Sequence, residues 1–160
     1  MYDEINEQEI NDYIESEKTN KPMHLPGYKY CGPGTKVVTS IMGNIKPINN
    51  LDDGCQVHDI EYMEYAGDRE KIEESDKKLM NVSKNWRNSS DYRKTRKGFM
   101  SKIYDWFSSN LVNKTFGAKK WLEKLKIVDP VEFAKKLSKK PVDLERKVGR
   151  MLKRKLEFNK

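Results

Sequence analysis

The segment that most constrains this chain is residues 51–65, LDDGCQVHDIEYMEY, which predicts a helix with a histidine and an aspartate side by side. Asp52 and Asp53 are candidate N-caps. His58 shares a helix face with Cys55, Tyr62 and Tyr65, which lie three, four and seven residues away from it. We therefore expect His58 to face inward. Asp59 lies about 100° further round the helix and can face a different neighbour. One helix could therefore perform two chemical tasks.

A second amphipathic helix is predicted over residues 69–86, with a charged residue on its apolar face. Asp76 stands in that stripe where a leucine would be expected. A buried carboxylate is costly unless it is paired, so we expect it to face His58 across the helix pair. A carboxylate that orients an imidazole is a general-base arrangement. The alternative is an ordinary core histidine, which is the commoner use of a lone histidine on an apolar face.

Upstream of these helices lies a glycine-rich segment, LPGYKYCGPGT, at residues 25–35. Gly32 and Gly34 flank Pro33, so the carbonyl groups of a short loop can turn toward one point. Calcium binds about six to eight oxygen ligands in a flexible shell, and loop carbonyls, the Asp59 carboxylate and waters would suffice. Read alone, the Gly-Pro-Gly motif is explained more simply by a plain turn.

Together these segments resemble the calcium loop and the His-Asp-x-x-Tyr helix of phospholipase A2 enzymes. YCGPG at residues 30–34 and CQVHDIEY at residues 55–62 stand in the order found in that family. The longer run LPGYKYCGPGT looks most like the phospholipase domain of the parvovirus minor capsid protein. The similarity covers about residues 24–86, and Asp76 matches the third element of the family, an aspartate on a helix.

The resemblance implies an all-α fold, in which two antiparallel catalytic helices follow a glycine-rich calcium-binding loop and additional helices lie C-terminal to them. It implies His58 and Asp76 as the catalytic pair and Tyr62 as their hydrogen-bonding support. It further implies that the Gly32 backbone N–H donates a hydrogen bond to the oxyanion that forms when the ester is attacked. The implied cofactor is Ca²⁺, held by three backbone carbonyls and one carboxylate, those of Tyr30, Gly32, Gly34 and Asp59.

The two cysteines, Cys31 and Cys55, would be free thiols in a reducing compartment if composition alone decided. In secreted phospholipase A2 enzymes cysteines at the two matching places are bonded to each other, whereas parvovirus domains generally lack them. The resemblance to the secreted enzymes thus implies a Cys31–Cys55 disulfide and an oxidising location. A buried pair of free thiols is the alternative. Thr35, where parvovirus domains usually have Asn, leaves the branch of the family open.

Charge divides the chain into three predicted segments: an acidic N-terminal arm over 1–22, a phospholipase A2-like domain over 23–110 and a basic helical segment over 111–160. Residues 1–25 carry seven acidic residues against two lysines and predict a loosely attached or disordered arm. Residues 111–160 hold sixteen Lys and Arg against six Asp and Glu. The last amphipathic helix should pack on the domain or lie on an anionic surface; its apolar residues include Leu144, Val148, Leu152 and Phe158.

The sequence therefore predicts a calcium-dependent phospholipase A2 that cleaves the sn-2 ester of membrane glycerophospholipids, with membrane breaching during viral entry as its role. A different class of function is a non-catalytic basic module that binds nucleic acid or anionic membranes through residues 93–160. A third is a relic of the family that binds lipid without turnover.

Other chemistries and locations find less support in the sequence. A serine nucleophile is disfavoured because no Gly-x-Ser-x-Gly elbow is present, and zinc because two His and two Cys lack the spacing of a four-ligand site. No apolar run is long enough to span a membrane, and the acidic start is not a signal peptide. The expected location is the virion or the extracellular space, with action at endosomal or host membranes.

Overall fold

The computed structural model describes residues 5–22, 24, 27–32, 34–90 and 140–159. Within these ranges all regular secondary structure is helical, which confirms the predicted all-α class. The helices are α1 Glu7–Glu17, α2 Val37–Met42, α3 Asn50–Glu64, α4 Arg69–Asn88 and α5 Val142–Phe158. None of the helices in the described ranges combines the length and apolar content needed to cross a bilayer. The predicted boundary near residue 110 lies outside the described residues.

Helices α3 and α4 pack side by side and run antiparallel. Near the start of α3, Gly54 faces Val82, and a Cβ added at Gly54 would lie 2.8 Å from the Val82 Cγ1 atom. Near the end of α3, Glu61 forms an ion pair with Lys78, at 3.2 Å. As residue numbers rise along α3, those of the facing residues on α4 fall. The close approach at Gly54 brings the facing side chains of the two helices within hydrogen-bonding reach of one another.

Asn49 is the N-cap of α3, so the prediction that Asp52 or Asp53 caps this helix was wrong. The backbone of Asn49 is extended, and its side chain accepts a hydrogen bond from the Asp52 backbone N–H at 2.9 Å. Asp52 and Asp53 already lie in the first helical turn, where a side chain cannot perform the capping role. The Asp52 side chain is buried and turned toward the glycine-rich loop.

Helix α1 is docked through its C-terminal end, where Tyr13 and Glu17 are buried. The Glu17 carboxylate accepts hydrogen bonds from the backbone N–H groups of Val38 at 3.1 Å and Thr39 at 2.9 Å. These are first-turn donors of α2, whose own N-cap residue supplies no side-chain hydrogen bond. Residues 7–17 of the predicted arm therefore form a helix that is docked against α2.

Helix α5 crosses the C-terminal end of α3 at close range. A Cβ added at Gly149 would lie 2.3 Å from the Glu64 backbone nitrogen, so the two backbones touch. Arg146 donates from Nε to the Ala66 carbonyl at 2.8 Å, and Lys153 pairs with the Glu64 carboxylate at 3.0 Å. The crossing fixes the end of the helix that carries the candidate site.

The apolar face of α5 is used in this packing. Val148 and Leu152 are fully buried, and Leu144 is partly buried against the same core. Phe158, which the sequence places among the apolar residues of this helix, is 90% exposed and takes no part in the packing. It lies in the last turn of the helix, beyond the crossing with α3, where nothing in the described ranges covers it.

Candidate active site

A histidine and an aspartate meet across the interface of α3 and α4. The Nε2 atom of His58 lies 2.8 Å from Oδ1 of Asp76. Tyr62, one turn further along α3, donates its hydroxyl to the same oxygen at 2.6 Å, and its ring lies 4.3 Å from the His58 ring, centroid to centroid. Asp76 is only 5% exposed. The buried carboxylate is thus paired with His58, whereas the catalytic roles of the pair remain predictions.

The two ring nitrogens of His58 face two different carboxylates. Burial disfavours the charged imidazolium and alone would lower the pKa of His58. Asp59, whose Oδ1 lies 4.0 Å from Nδ1, and Asp76 outweigh burial, so the pKa of His58 is raised above its ordinary value. When Nε2 carries the hydrogen directed at Asp76, Nδ1 is the nitrogen that can accept a proton.

Asp59 occupies the side of α3 that faces the glycine-rich loop. Its Oδ2 atom is buried and has no hydrogen-bond partner among the described residues. Burial raises the pKa of Asp59; His58 opposes the rise, and the negative charge of Asp52 adds to it. A buried carboxylate oxygen that lacks a donor is costly. The oxygen is therefore a natural ligand for a cation.

The glycine-rich loop is attached to α3 by a disulfide. Cys31 and Cys55 are bonded, with their Cα atoms 5.2 Å apart, which confirms the predicted pairing. Cys55 lies one helical turn before Asp59, so the bond brings the loop against the part of α3 that carries the unpaired carboxylate oxygen.

Two carbonyl groups of the loop converge on one point. The Thr35 hydroxyl lies 3.1 Å from the Tyr30 carbonyl oxygen and 3.0 Å from the Gly32 carbonyl oxygen, so a single small group reaches both. At Gly34 the backbone has a φ of +76°, and an added Cβ would lie 2.7 Å from the Lys21 carbonyl oxygen. Only glycine fits there, which holds this part of the loop in its turned conformation.

The oxygen atoms at this site are suitable ligands for a hard cation such as Ca²⁺. In the described part of the chain, no three His, Cys, Asp or Glu side chains cluster in a way that could hold a metal. A cation would therefore depend on main-chain oxygens together with one carboxylate, and calcium accepts such a set. The converging carbonyls of Tyr30 and Gly32 and the unpaired oxygen of Asp59 supply oxygens of both kinds.

Asp52 is the residue of this region that sequence reasoning missed. It is fully buried, and its carboxylate accepts hydrogen bonds from four backbone N–H groups, those of Lys29, Tyr30, Cys31 and Ile48. The sequence did contain one signal. Asp52, Cys55 and Asp59 are spaced three and four residues apart, which places them on one stripe of α3.

A family model described as the phospholipase A2-like domain matches residues 21–104, a little over half of the chain. The chain belongs to the phospholipase A2-like domain family. Searches of curated proteins and of solved structures give no significant match. Membership of the phospholipase A2-like family confirms the resemblance drawn from the two motifs and supports a phospholipase A2-like function in general terms.

The matched segment contains the glycine-rich loop, α3 and α4, and with them every residue of the candidate site. Helices α1 and α5 lie outside it. Both nevertheless pack on the matched segment: α5 contacts α3, which carries the site, through Gly149, and α1 contacts α2 through Glu17. In this chain the phospholipase A2-like core is therefore supported by helices that the family model does not cover.

Proposed function

We propose that this chain is a calcium-dependent phospholipase A2 that hydrolyses the sn-2 ester of glycerophospholipids. The observation that carries the proposal is the arrangement on α3: His58 is paired with Asp76 on one side, and the next residue, Asp59, holds a buried oxygen without a partner in the described ranges on the other. Family membership supports the reaction class. A carboxylate-paired histidine beside a set of cation ligands is what metal-assisted attack of water on an ester requires.

In the proposed reaction His58 is the general base. Its imidazole takes a proton from a water molecule as the water oxygen bonds to the ester carbonyl carbon. Asp76 holds the ring and stabilises the imidazolium, and the Tyr62 hydroxyl holds Asp76. When the carbon–oxygen bond of the ester breaks, the imidazolium returns its proton to the leaving alkoxide. The products are a fatty acid and a lysophospholipid, and no covalent enzyme intermediate forms.

The cation site is the second part of the proposal. The carbonyls of Tyr30, Gly32 and Gly34 and the carboxylate of Asp59 would hold Ca²⁺. The bound ion supplies positive charge that polarises the ester carbonyl and stabilises the oxyanion. The Gly32 backbone N–H would donate to the same oxyanion. The convergence of two of these carbonyls on the Thr35 hydroxyl supports the assignment.

A positional hydrolysis assay tests the function. Vesicles are made of a phospholipid with different acyl chains at sn-1 and sn-2, and the released acids are identified by mass spectrometry with Ca²⁺ and with excess chelator. We expect only the sn-2 acid, and only with Ca²⁺. His58→Gln should abolish release, whereas Val57→Ala, a change at an exposed neighbour, should not. Release from both positions, or vesicle binding without release, would contradict the proposal; the second outcome would favour a lipid-binding relic.

The basic segment over 111–160 is proposed as the contact with anionic membranes, because a surplus of Lys and Arg is attracted to anionic lipid. The resemblance of LPGYKYCGPGT to the parvovirus domain supports a virion or extracellular setting and a role in breaching endosomal or host membranes. Binding to vesicles that contain phosphatidylserine should weaken as salt rises and in the double variant Lys119→Gln, Lys120→Gln. Salt-independent binding, or much tighter binding to duplex nucleic acid, would contradict this assignment.

A further inference from the structure

We propose that Asp52 is the positioning residue of the cation site: its buried carboxylate fixes the backbone of residues 29–31 against α3, aims the Tyr30 carbonyl, and adds a negative charge to that of Asp59. This inference rests on the proposed calcium dependence and deepens it. Nothing in the reaction itself requires Asp52, which does not face the His58–Asp76 pair. Its effect is exerted through the loop.

The Asp52 carboxylate accepts hydrogen bonds from several backbone N–H groups. Backbone N–H groups of Lys29, Tyr30 and Cys31 lie 3.1, 2.9 and 3.2 Å from its oxygens, and that of Ile48 lies at 3.0 Å. An ionised carboxylate offers about four acceptor positions, so these four donors fill it. Three consecutive residues of the loop and the segment that leads into α3 are thereby tied to one buried side chain.

The hydrogen bonds to Asp52 also determine the direction of one carbonyl group. In a trans peptide unit the C=O of one residue and the N–H of the next point in opposite directions. The Cys31 N–H points at Asp52, so the Tyr30 C=O, in the same peptide unit, points away from it. On that far side the Tyr30 oxygen meets the Thr35 hydroxyl, which also reaches the Gly32 carbonyl. Asp52 therefore sets the direction in which a proposed calcium ligand faces.

Asp52 also adds negative charge to the side of α3 that faces the loop. Asp52 and Asp59 lie two turns apart on the same stripe of α3, about 10 Å along the helix axis. Two carboxylates on this stripe place like charges on the side of α3 that faces the loop, and like charges repel each other. A divalent cation bound at Asp59 would relieve that repulsion. The site is thus built from two carboxylates: Asp52 is fully buried, and Asp59 is the proposed ligand.

The test is a calcium titration of the oxidised, full-length protein by isothermal titration calorimetry, with Ca²⁺ alone and no lipid. Asp52→Asn keeps the shape of the side chain but removes the charge and two acceptor positions. We expect its dissociation constant for Ca²⁺ to rise about 10- to 100-fold, the usual effect of losing a residue that orients a metal ligand. Asp53→Asn is the matched control, because Asp53 is the exposed neighbour and carries the same charge. It should bind Ca²⁺ as the parent protein does.

A merely structural role for Asp52 predicts a different result. In that case Asp52→Asn would lower the melting temperature and leave the Ca²⁺ affinity of the folded protein unchanged, and this outcome would overturn the proposal. If Asp52→Asn does not fold, the parent protein decides. Its Tyr30 and Cys31 amides should be protected from hydrogen exchange before Ca²⁺ is added, and their NMR resonances should shift in proportion to saturation. Fast exchange of these amides, or resonances that ignore Ca²⁺, would refute the inference.

Calcium binding and ester hydrolysis are read separately, so failures of the two proposals can be told apart. A parent protein that binds Ca²⁺ through an Asp52-dependent site but releases no fatty acid would disprove the phospholipase assignment and leave the role of Asp52 in place. A calcium-dependent phospholipase whose Asp52→Asn variant binds Ca²⁺ normally would do the reverse.

Discussion

Asp76 is buried and Asp59 is partly exposed, and each lies near His58, yet the protein satisfies only one of them. Asp76 accepts hydrogen bonds at Oδ1 from Tyr62 and is paired with His58 at the same oxygen. Asp59 has an oxygen with no partner in the described part of the chain. The packing of α3 on α4 is sufficient to complete the first arrangement. The second needs something that the side chains do not provide, and a cation is the partner that its chemistry suits.

This difference implies that the two sides of α3 can be damaged independently. The α4 side should govern proton transfer, and the loop side should govern cation binding. Within the described part of the chain, His58 links the two sides, because its ring lies between the two carboxylates. Ca²⁺ affinity and the rate of hydrolysis measure the two sides separately.

The largest expected effects come from replacing the two adjacent residues. His58→Ala should lower the rate of hydrolysis by about 10² to 10⁴, the value of general-base assistance, while Ca²⁺ affinity is retained. Asp59→Asn should abolish both Ca²⁺ binding and turnover, because the proposed site has no other carboxylate ligand. Calorimetry and the positional hydrolysis assay provide the two readouts, and circular dichroism verifies the fold.

Asp53→Asn is the control for the aspartate, since it changes the same charge at an exposed position of the same helix. The proposed independence of the two sides would be refuted if His58→Ala lost Ca²⁺ binding as completely as Asp59→Asn. It would also be refuted if Asp59→Asn kept calcium-dependent turnover.

The disulfide should affect the loop side and spare the other. Cys31 and Cys55 are 24 residues apart, and closing a loop of that length stabilises a protein by about 3 kcal/mol in the chain-entropy model. The double variant Cys31→Ala, Cys55→Ala should have a free energy of unfolding that is lower by that amount, measured by denaturant titration. It should also bind Ca²⁺ more weakly, because the loop is no longer held against α3. Once saturated with Ca²⁺, it should turn over at close to the parent rate.

Treatment with a reducing agent distinguishes loss of the bond from damage by the substitutions. Reductant should weaken Ca²⁺ binding by the parent protein to the level of the double variant and should leave the double variant itself unchanged. Two free thiols per chain in the denatured but unreduced parent protein would show that the bond does not form.

The helix pair and the His58–Asp76 contact could be predicted from sequence because two general rules act on few residues. The 3.6-residue period places His58 and Asp76 on buried faces, and the cost of an unpaired buried charge then requires a partner. Both rules use only nearby sequence until the last step, in which few residues could be the partner of the buried charge. The observed distance of 2.8 Å agrees with that reasoning.

The functions of Asp52 and Glu17 could not be found in this way. An acidic residue near the start of a helix already has a general explanation in capping and the helix dipole, and that explanation hid the contacts of Asp52 with the loop. Glu17 receives donors from residues more than twenty positions away, which no local pattern encodes. Their carboxylates bind backbone N–H groups, and backbone groups are present at every residue, so sequence carries no mark of the partner.

A substitution in helix α5 tests whether a part of the chain outside the family match stabilises the fold that carries the site. Gly149→Ala would normally stabilise a helix by about 1 kcal/mol. Here the added Cβ would lie 2.3 Å from the backbone of Glu64, which cannot move aside as a side chain could. We expect a loss of up to about 3 kcal/mol of unfolding free energy, measured by urea denaturation. Glu157→Ala, at an exposed position of α5, should be nearly neutral. A Gly149→Ala protein as stable as its parent would mean that α5 does not pack on α3 as described.

The smallest expected effect is that of Tyr62→Phe, which removes one hydroxyl and keeps the ring beside His58. Asp76 would lose the Tyr62 donor but keep His58, so the unfolding free energy should fall by about 1.5 kcal/mol, the usual net value of a hydrogen bond to a charged group. Because the imidazole is still oriented, hydrolysis should fall far less than in Asp76→Asn, which disrupts the pair itself.

The same variant provides the most sensitive test of independence between the two sides of α3. The Tyr62 hydroxyl contacts Asp76 on α4, and the loop is held elsewhere, by Asp52 and by the Cys31–Cys55 bond. Ca²⁺ affinity of Tyr62→Phe should therefore equal that of the parent protein. If it fell in step with activity, the loop and the histidine pair would be one coupled unit, and the division between a completed proton-transfer side and an incomplete cation side would have to be abandoned.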